Sequence, residues 1–169
     1  MKILLTVIAA IFAAILAQVS LCVHAESVEL IESTESVELT EFTLRVSDWK
    51  TGVIYSEVPA KAGSKLFFGW IHSLEKIPWN EYYHIAEDGA LILDSVTFPA
   101  FGAGIPENKG KVCYIENGLI HMEKIDQTFE ELVWLNSHTA TQEILLDGEY
   151  VTRGSDLPHH ARLRLVIGD

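Results

Sequence analysis

Apolar and polar side chains alternate along much of this chain, which is the pattern of half-buried β-strands. Residues 42–47, FTLRVS, repeat with a period of two, and residues 161–167, ARLRLVI, do the same near the end of the chain. Residues 66–72, LFFGWIH, are apolar on both faces, which predicts a central strand covered on both sides. These runs favour a β-rich fold.

Turn signals separate the apolar runs at regular intervals. Asp88-Gly89, Asn117-Gly118 and Asp147-Gly148 each lie between two such runs, and each predicts a hairpin whose two central residues have positive φ. Residues 128–135, TFEELVWL, fit either a helical turn or a strand. The predicted fold is therefore all-β, an antiparallel meander of about ten short strands forming a sandwich or a barrel.

The beginning of the chain has the composition of an export signal. Residues 4–17 are apolar except for one threonine, and Lys2 is the only charged residue before Glu26. Small or branched residues at 23–25 complete the signal pattern, so residues 1–25 are predicted to be a signal peptide cleaved after position 25. The alternative is a retained N-terminal anchor, since the apolar run is about long enough to span a bilayer. Both alternatives place the rest of the chain outside the cytoplasm.

An acidic segment separates this signal from the β pattern. Residues 26–41, ESVELIESTESVELTE, are rich in glutamate and contain no basic residue, so we expect an extended stalk. Residues 42–169 then form the single predicted all-β domain. The whole chain carries 24 acidic and 12 basic residues, a net charge of -12, which argues against nucleic acid as a partner.

The two cysteines do not predict a disulfide. Cys22 is lost on cleavage or lies in the membrane if the anchor is retained, so it is separated from Cys113 in both cases. Cys113 lies in an apolar run, and we expect it to be a small buried residue.

Two stretches have no simple strand explanation. Residues 66–83, LFFGWIHSLEKIPWNEYY, place four polar residues among bulky aromatic side chains, and residues 101–106 read FGAGIP. Gly102 and Gly104 permit positive φ and close backbone approach, so their amides could hold a carboxylate, or the loop could be a tight crossing of two strands. The candidate binding residues are His72, Ser73, Glu75, Trp79, Glu81, Gly102 and Gly104.

Enzymatic and metal-binding interpretations fit these residues poorly. Ser73 as nucleophile with His72 as base is disfavoured, because adjacent residues of a strand point to opposite faces and no Gly-x-Ser-x-Gly elbow is present. His72, Glu75, Glu81 and His84 lack a specific zinc-ligand spacing. We therefore predict no catalytic residue, no metal and no cofactor.

Two interpretations of the polar cluster stay open. His72 could donate to Glu75 or Glu81 and so fix a buried loop beneath Trp79, a structural role. The same groups, held by an apolar shell, could bind a ligand or a partner. A concave cavity lined by Trp70 and Trp79 would favour a ligand, whereas a flat exposed apolar patch would favour a protein partner.

The paired motifs resemble a known family. His72-Ser73-Leu74-Glu75, then Pro78-Trp79 and Glu81, followed some twenty residues on by the 101–106 motif, are similar to the family called domain of unknown function 1850. The resemblance covers about residues 42–167, nearly all of the chain after the acidic segment, and does not include that segment.

This resemblance implies a cellular context. Members of the family are small exported or membrane-anchored proteins, commonly encoded beside tripartite ATP-independent periplasmic (TRAP) transporters of the TAXI type, which carry small carboxylates. It implies a non-enzymatic accessory protein in the periplasm or on the outer face of the cytoplasmic membrane. The expected partners are the transporter membrane subunits or the solute-binding protein. The alternative is a β module that binds a small carboxylate, and a hydrolase or metalloenzyme is the least favoured class.

Overall fold

The computed structural model describes residues 41–99 and 109–168. This part of the chain forms eleven strands and one 3₁₀ turn, Gly154–Asp156, and contains no α-helix. The strands are β1 (Glu41–Asp48), β2 (Ile54–Lys61), β3 (Lys65–Ile71), β4 (Pro78–Ile85), β5 (Leu91–Phe98), β6 (Val112–Glu116), β7 (Leu119–Phe129), β8 (Glu131–Leu135), β9 (Thr141–Leu146), β10 (Glu149–Arg153) and β11 (Arg162–Gly168). Within these residues, no helix has the length and apolar character needed to span a bilayer.

The strands form two antiparallel sheets, which confirms the predicted all-β class. The four-stranded sheet has the order β2-β1-β11-β8, and the seven-stranded sheet has the order β10-β9-β3-β4-β5-β7-β6. The sheets do not close into a barrel. Local hairpins account for most pairings, while β9 returns to pair with β3 and β11 returns to pair with β1. The prediction that residues 66–72 form a central strand is also confirmed, because β3 lies between β9 and β4.

The predicted hairpins at positions 117–118 and 147–148 have the expected backbone. Asn117 and Gly118 have φ of 51° and 78°, and Asp147 and Gly148 have φ of 51° and 83°. Both pairs connect consecutive strands, β6 to β7 and β9 to β10, with the two-residue loop that these dihedrals favour.

The hairpin at positions 88–89 forms with a longer loop. Only Gly89 has positive φ, at 84°, so the prediction that both central residues would adopt it was wrong here. Ala86 donates its N–H to the carbonyl of Ala90 at 2.8 Å, which closes a wider turn. The Asp88 carboxylate accepts a hydrogen bond from the Ala90 N–H at 3.1 Å. This side-chain bond stabilises the turn without a positive φ at Asp88.

The segment that the sequence left ambiguous is β-structure and connects the two sheets. Residues 128–129 end β7 in the large sheet, and β8 begins at Glu131 in the small sheet. There β8 pairs with β11, with Leu132 opposite Leu165 and Trp134 opposite Leu163. The rings of Trp134 and Phe68 have centroids 5.2 Å apart, so the inner faces of the two sheets meet at this point.

The core consists of the inward-facing residues of both sheets. Its fully buried large side chains include Leu44, Leu163 and Leu165 from the small sheet and Leu66, Ile85, Leu91, Phe98, Met122 and Ile144 from the large one. Burying a side chain of this size contributes roughly 1.5–3 kcal/mol each, so this shared core is the main force that holds the sheets together.

Cys113 is exposed, so the prediction that it would be buried was wrong. Strand β6 lies at the edge of the large sheet and pairs only with β7, and residues 113–116 are all exposed. The predicted signal peptide, the predicted stalk up to residue 40, and the candidates Gly102 and Gly104 lie outside the described residues.

Candidate ligand-binding site

The HSLEKI segment forms the loop of the hairpin between β3 and β4. Trp70 and Trp79 form the second-to-last residue pair of that hairpin, before Ile71 and Pro78. Beyond them, His72 donates its N–H to the carbonyl of Ile77, and the N–H of Lys76 donates to the carbonyl of His72, both at 2.8 Å. Lys76 has a φ of 57° to close the turn. The predicted polar segment is therefore a tight turn at one end of the large sheet.

His72 stabilises this turn with its side chain. Its Nδ1 accepts a hydrogen bond from the backbone N–H of Glu75 at 3.3 Å, and its ring centroid lies 5.6 Å from that of Trp70 and 6.0 Å from that of Trp79. In the described part of the chain, no hydrogen bond joins His72 to the carboxylate of Glu81. The contact with Glu75 thus involves its backbone, and His72 acts as a local acceptor within the turn.

A cavity of about 580 Å³ opens between the two sheets next to this turn. The large sheet contributes Phe68, Trp70, Trp79, Glu81 and Tyr83 to its wall, and the small sheet contributes Leu132 and Trp134. Four polar residues also border the cavity: the exposed Ser73, Lys109 and Gln127, and the half-buried Glu131. The cavity is therefore aromatic inside and polar where it meets solvent.

Strand periodicity places Glu81 on the inner face of the large sheet. Side chains alternate along β4, so Trp79, Glu81 and Tyr83 point to the same side. Across the sheet, Glu81 lies opposite Phe68 of β3 and Val96 of β5, both of which are buried apolar residues. A carboxylate thus occupies an inner-face position, where the alternation of β4 predicts an apolar side chain.

Both carboxylate oxygens of Glu81 accept hydrogen bonds from its strand neighbours. Oε1 accepts from Nε1 of Trp79 at 3.1 Å, and Oε2 accepts from the hydroxyl of Tyr83 at 2.7 Å. Trp79 and Tyr83 are themselves buried, with 6% and 3% of their surface exposed, so these donors are held by the core. The carboxylate is consequently fixed in place at the wall of the cavity.

Burial raises the pKa of the Glu81 carboxyl above its ordinary value, because an enclosed carboxylate loses hydration. Hydrogen bonding from Tyr83, Trp79 and Trp70, in that order, opposes that rise in pKa, and the charge of Lys109 does so more weakly. Burial, and then the adjacent Glu81 charge, likewise raise the pKa of the Tyr83 hydroxyl, which therefore stays a donor. No lysine, arginine or histidine of the described residues lies within ion-pair distance of Glu81.

Aromatic rings surround this carboxylate. The ring of Trp79 stacks on Phe98, with centroids 4.7 Å apart and planes 4° from parallel, and Trp70 lies 5.7 Å from Trp79. On the opposite wall, the buried Nε1 of Trp134 has no hydrogen-bond partner in the described part of the chain. The packing therefore holds an acceptor and a donor group in otherwise apolar surroundings.

The structure separates the residues proposed from sequence into three groups. Ser73, Trp79 and Glu81 line the cavity. His72 and Glu75 belong to the adjacent turn and are not part of the cavity wall. Gly102 and Gly104 lie outside the described residues, so the expectation that they approach the polar cluster stays a prediction.

Tyr83 and Trp134 are two residues of the wall that were not selected from the sequence as site residues. Tyr83 lies two positions from Glu81, and the strand alternation was a sufficient signal that both face the same side. Trp134 lies in the segment whose secondary structure was ambiguous, and its place opposite Phe68 depends on the crossing from β7 to β8, which no local pattern specifies.

A second group of titratable side chains lies in the loop before β11 and in the turn after β8. The rings of His138 and His159 have centroids 4.5 Å apart, and those of His159 and His160 are 3.8 Å apart. The His159 pKa is lowered, first by loss of hydration and then by the charges of His160 and His138. Among residues 41–99 and 109–168, no cluster of His, Cys, Asp or Glu is arranged to hold a metal ion.

Comparison with known families agrees with the resemblance. Residues 67–152, just over half of the chain, match the family described as domain of unknown function (DUF1850), and the chain belongs to that family. The match runs from β3 to β10, so it contains the hairpin turn, Glu81 and both walls of the cavity. No curated protein matches the chain. No solved structure matches it either.

Proposed function

We propose that this protein is a non-enzymatic binding module that holds a small ligand in the cavity between its two sheets. The observation that carries the proposal is the position of Glu81, a carboxylate fixed by two buried donors at the wall of an aromatic cavity. Ligand sites in proteins are typically concave, about 300–1,000 Å³ in volume, mostly apolar, and equipped with a few convergent polar groups. This cavity has each of those properties.

A purely structural role explains the geometry less well. Burying a carboxylate costs free energy unless it is paired, and a glutamine could accept from Trp79 and bond to Tyr83 without that cost. Residues that reduce stability in this way are commonly retained at functional sites. The concave arrangement of Trp70 and Trp79 also favours a ligand over a flat protein interface.

A matched pair of tryptophan substitutions tests the proposal. Trp70 lines the cavity, whereas Trp49 lies outside it and packs against the guanidinium of Arg162, 4.0 Å from its ring centroid. The full chain is screened by thermal shift against small metabolites, and affinities of the hits are measured by calorimetry. We expect Trp70→Ala to abolish binding and Trp49→Ala to preserve it. Hits that bind both variants equally, or the lack of any hit, would contradict the proposal.

We also propose an extracytoplasmic location, either the periplasm or the outer face of the cytoplasmic membrane. The apolar N-terminal segment and the family resemblance support it. Fractionation of cells that express the tagged full chain tests this, and recovery of the chain in the cytoplasm would contradict it.

The family resemblance further supports a role as an accessory of a TAXI-type TRAP carboxylate transporter. In that role, the module would contact the membrane subunits or the solute-binding protein. Affinity capture of the tagged full chain from solubilised membranes, followed by mass spectrometry, should enrich those subunits. Their absence from the captured material, with the tagged chain itself recovered, would remove this second candidate and leave the binding module in place.

A further inference from the structure

We propose that the cavity recognises the protonated amine of a small ligand, with Glu81 as its counter-ion and the surrounding aromatic rings as its walls. This inference rests on the proposed binding function and names the chemical class of the ligand.

The first step is the unused hydrogen-bonding capacity of Glu81. An ionised carboxylate offers about four acceptor positions; the donors Trp79 and Tyr83 occupy one on each oxygen, and Trp70 adds a weaker hydrogen-bonding interaction, which leaves room for a further donor. Both donors are neutral groups, so they orient the carboxylate without neutralising its charge. The remaining acceptor positions suit a group that carries several N–H donors and a positive charge, which is what an ammonium provides.

The second step is the absence of an ion-pair partner for Glu81 in the described part of the chain. Glu131, the other carboxylate of the wall, has Arg164 at 3.9 Å, but no basic side chain lies within ion-pair distance of Glu81. Lys109 lines the cavity from an exposed position and acts on Glu81 only at longer range. A carboxylate taken out of water favours a cation nearby, and a ligand can supply it.

The third step is the aromatic wall. Tryptophan faces attract cations through the ring quadrupole, and cages of aromatic rings are a common solution for the recognition of ammonium ligands. Trp70, Trp79 and Trp134 all line the cavity. A ligand with an apolar body would also bury that body against Phe68 and Leu132.

The same features disfavour a carboxylate as the group that meets Glu81. Two negative charges beside aromatic walls repel each other more strongly than they do in bulk water. Lys109 is exposed, so its charge is well screened by solvent. The expectation of a small carboxylate, which came from the family resemblance, is therefore compatible with this cavity only for a ligand that also carries an amine.

Three probes of nearly the same shape test the inference. 2-Phenylethylamine, 2-phenylethanol and 3-phenylpropanoate share an aryl group and a short chain, and differ in carrying a positive, neutral or negative headgroup. Each is titrated into the ¹⁵N-labelled full chain at neutral pH, with the indole N–H of Trp79 as reporter, because that group donates directly to Glu81. We expect the amine to bind at least tenfold more tightly than the alcohol, as expected for a charge-assisted hydrogen bond, and the carboxylate to bind most weakly.

Two glutamate variants test whether Glu81 is the residue that binds the amine. Glu81→Gln keeps the shape of the side chain, and should lower the affinity for the amine at least about tenfold while leaving the alcohol unchanged. Glu149→Gln removes the same charge from an exposed residue of β10 that is not part of the cavity wall, and should leave all three affinities unchanged.

The outcomes separate the two proposals. If the alcohol or the carboxylate binds as tightly as the amine, the amine inference is overturned while the binding function stands. If Glu81→Gln leaves the affinity for the amine unchanged, Glu81 is not the counter-ion and the inference is again overturned. If none of the probes binds, the amine inference is overturned, and the binding function is decided separately by the metabolite screen with the Trp70→Ala and Trp49→Ala variants. The comparison of probes on the unmodified chain does not depend on the folding of any variant.

Discussion

Trp79 donates its indole N–H to Oε1 of Glu81, two positions further along the same strand and on the same face, with 3.1 Å between nitrogen and oxygen. The partner two positions beyond, Tyr83, donates to the other oxygen at 2.7 Å. One strand thus supplies a carboxylate together with two donors for it, one on each oxygen. This compact arrangement depends only on the period of two in β4, and it fixes the charged group before any ligand arrives.

The first prediction is that Glu81→Gln stabilises the free protein at neutral pH. Burial raises the pKa of Glu81 above its ordinary value of 4.5, so the folded state holds this proton more tightly than the unfolded state. The resulting stability is present below about pH 4.5 and is lost as the pH rises through the folded pKa. The variant avoids this loss.

Urea denaturation at pH 7 and at pH 4 checks this prediction. The variant should exceed the natural chain in free energy of unfolding at pH 7, and the two should converge at pH 4. Glu149→Gln is the matched control. Because Glu149 is exposed, we expect this variant to show no gain in stability at pH 7 that disappears at pH 4. A variant that is less stable than the natural chain at pH 7 would show that the carboxylate itself stabilises the fold.

The second prediction concerns the donor Tyr83. Tyr83→Phe keeps the buried ring but removes the hydroxyl that donates to Oε2 of Glu81. We expect a loss of about 1–3 kcal/mol in free energy of unfolding at pH 7, because a half-buried charged acceptor loses a partner. The pKa of Glu81 should rise further, since the hydrogen bond from Tyr83 opposes its rise.

A second tyrosine provides the control for this measurement. The hydroxyl of Tyr114 donates to Glu123 at 2.6 Å, but at an exposed edge strand where water can replace it. Tyr114→Phe should therefore change the stability little. Equal losses in the two variants would mean that enclosure of Glu81 has no energetic consequence.

The third prediction concerns Asn136, which is fully buried after β8. Its Nδ2 donates to the carbonyls of Gly154, Leu157 and Pro158 at 3.0, 3.2 and 3.0 Å, so one side chain holds the segment that leads into β11. Asn136→Ala should cost about 1–3 kcal/mol, because these three carbonyls lose the donor that they share.

Hydrogen exchange and denaturation together check the role of Asn136. Exchange should accelerate first at His160, whose N–H donates to the carbonyl of Asn136 at 2.9 Å. Asn80→Ala is the control, since Asn80 is only half-buried and donates a single side-chain bond, to Thr97 at 3.3 Å. If Asn136→Ala were as mild as the control, the three carbonyl bonds would contribute little.

The sequence predicted the strands better than it predicted the site, and the reason lies in the range of the signals. Alternation and Asn-Gly or Asp-Gly turns are local, so β1, the hairpins and β11 could be predicted from neighbouring residues alone. The pairing of β9 with β3 and the crossing from β7 to β8 bring together residues far apart in the chain, which no window of sequence encodes.

The same distinction explains the candidate residues. The sequence singled out His72 and Glu81 together because they are near each other in the chain. His72 belongs to the turn, where its partner is the backbone of Glu75. Glu81 belongs to the inner face of β4, where its role depends on Trp134 and Leu132 from the other sheet. Proximity in sequence thus grouped two residues that lie in different surroundings.

The last prediction concerns the pH dependence of amine binding. An ammonium ligand binds the ionised form of Glu81, and burial raises the pKa of that group in the free protein. Affinity for 2-phenylethylamine should therefore increase as the pH rises through the pKa of Glu81, and then level off while the amine stays protonated. Bound ligand should lower that pKa, so binding below this plateau should release protons. Titrations in buffers of different ionisation enthalpy between pH 4 and 8 measure both effects.

In Glu81→Gln, affinity should be weak and independent of pH over this range. If affinity instead fell with rising pH in the natural chain, the protonated carboxyl would be the binding form, and the ligand would be an acceptor.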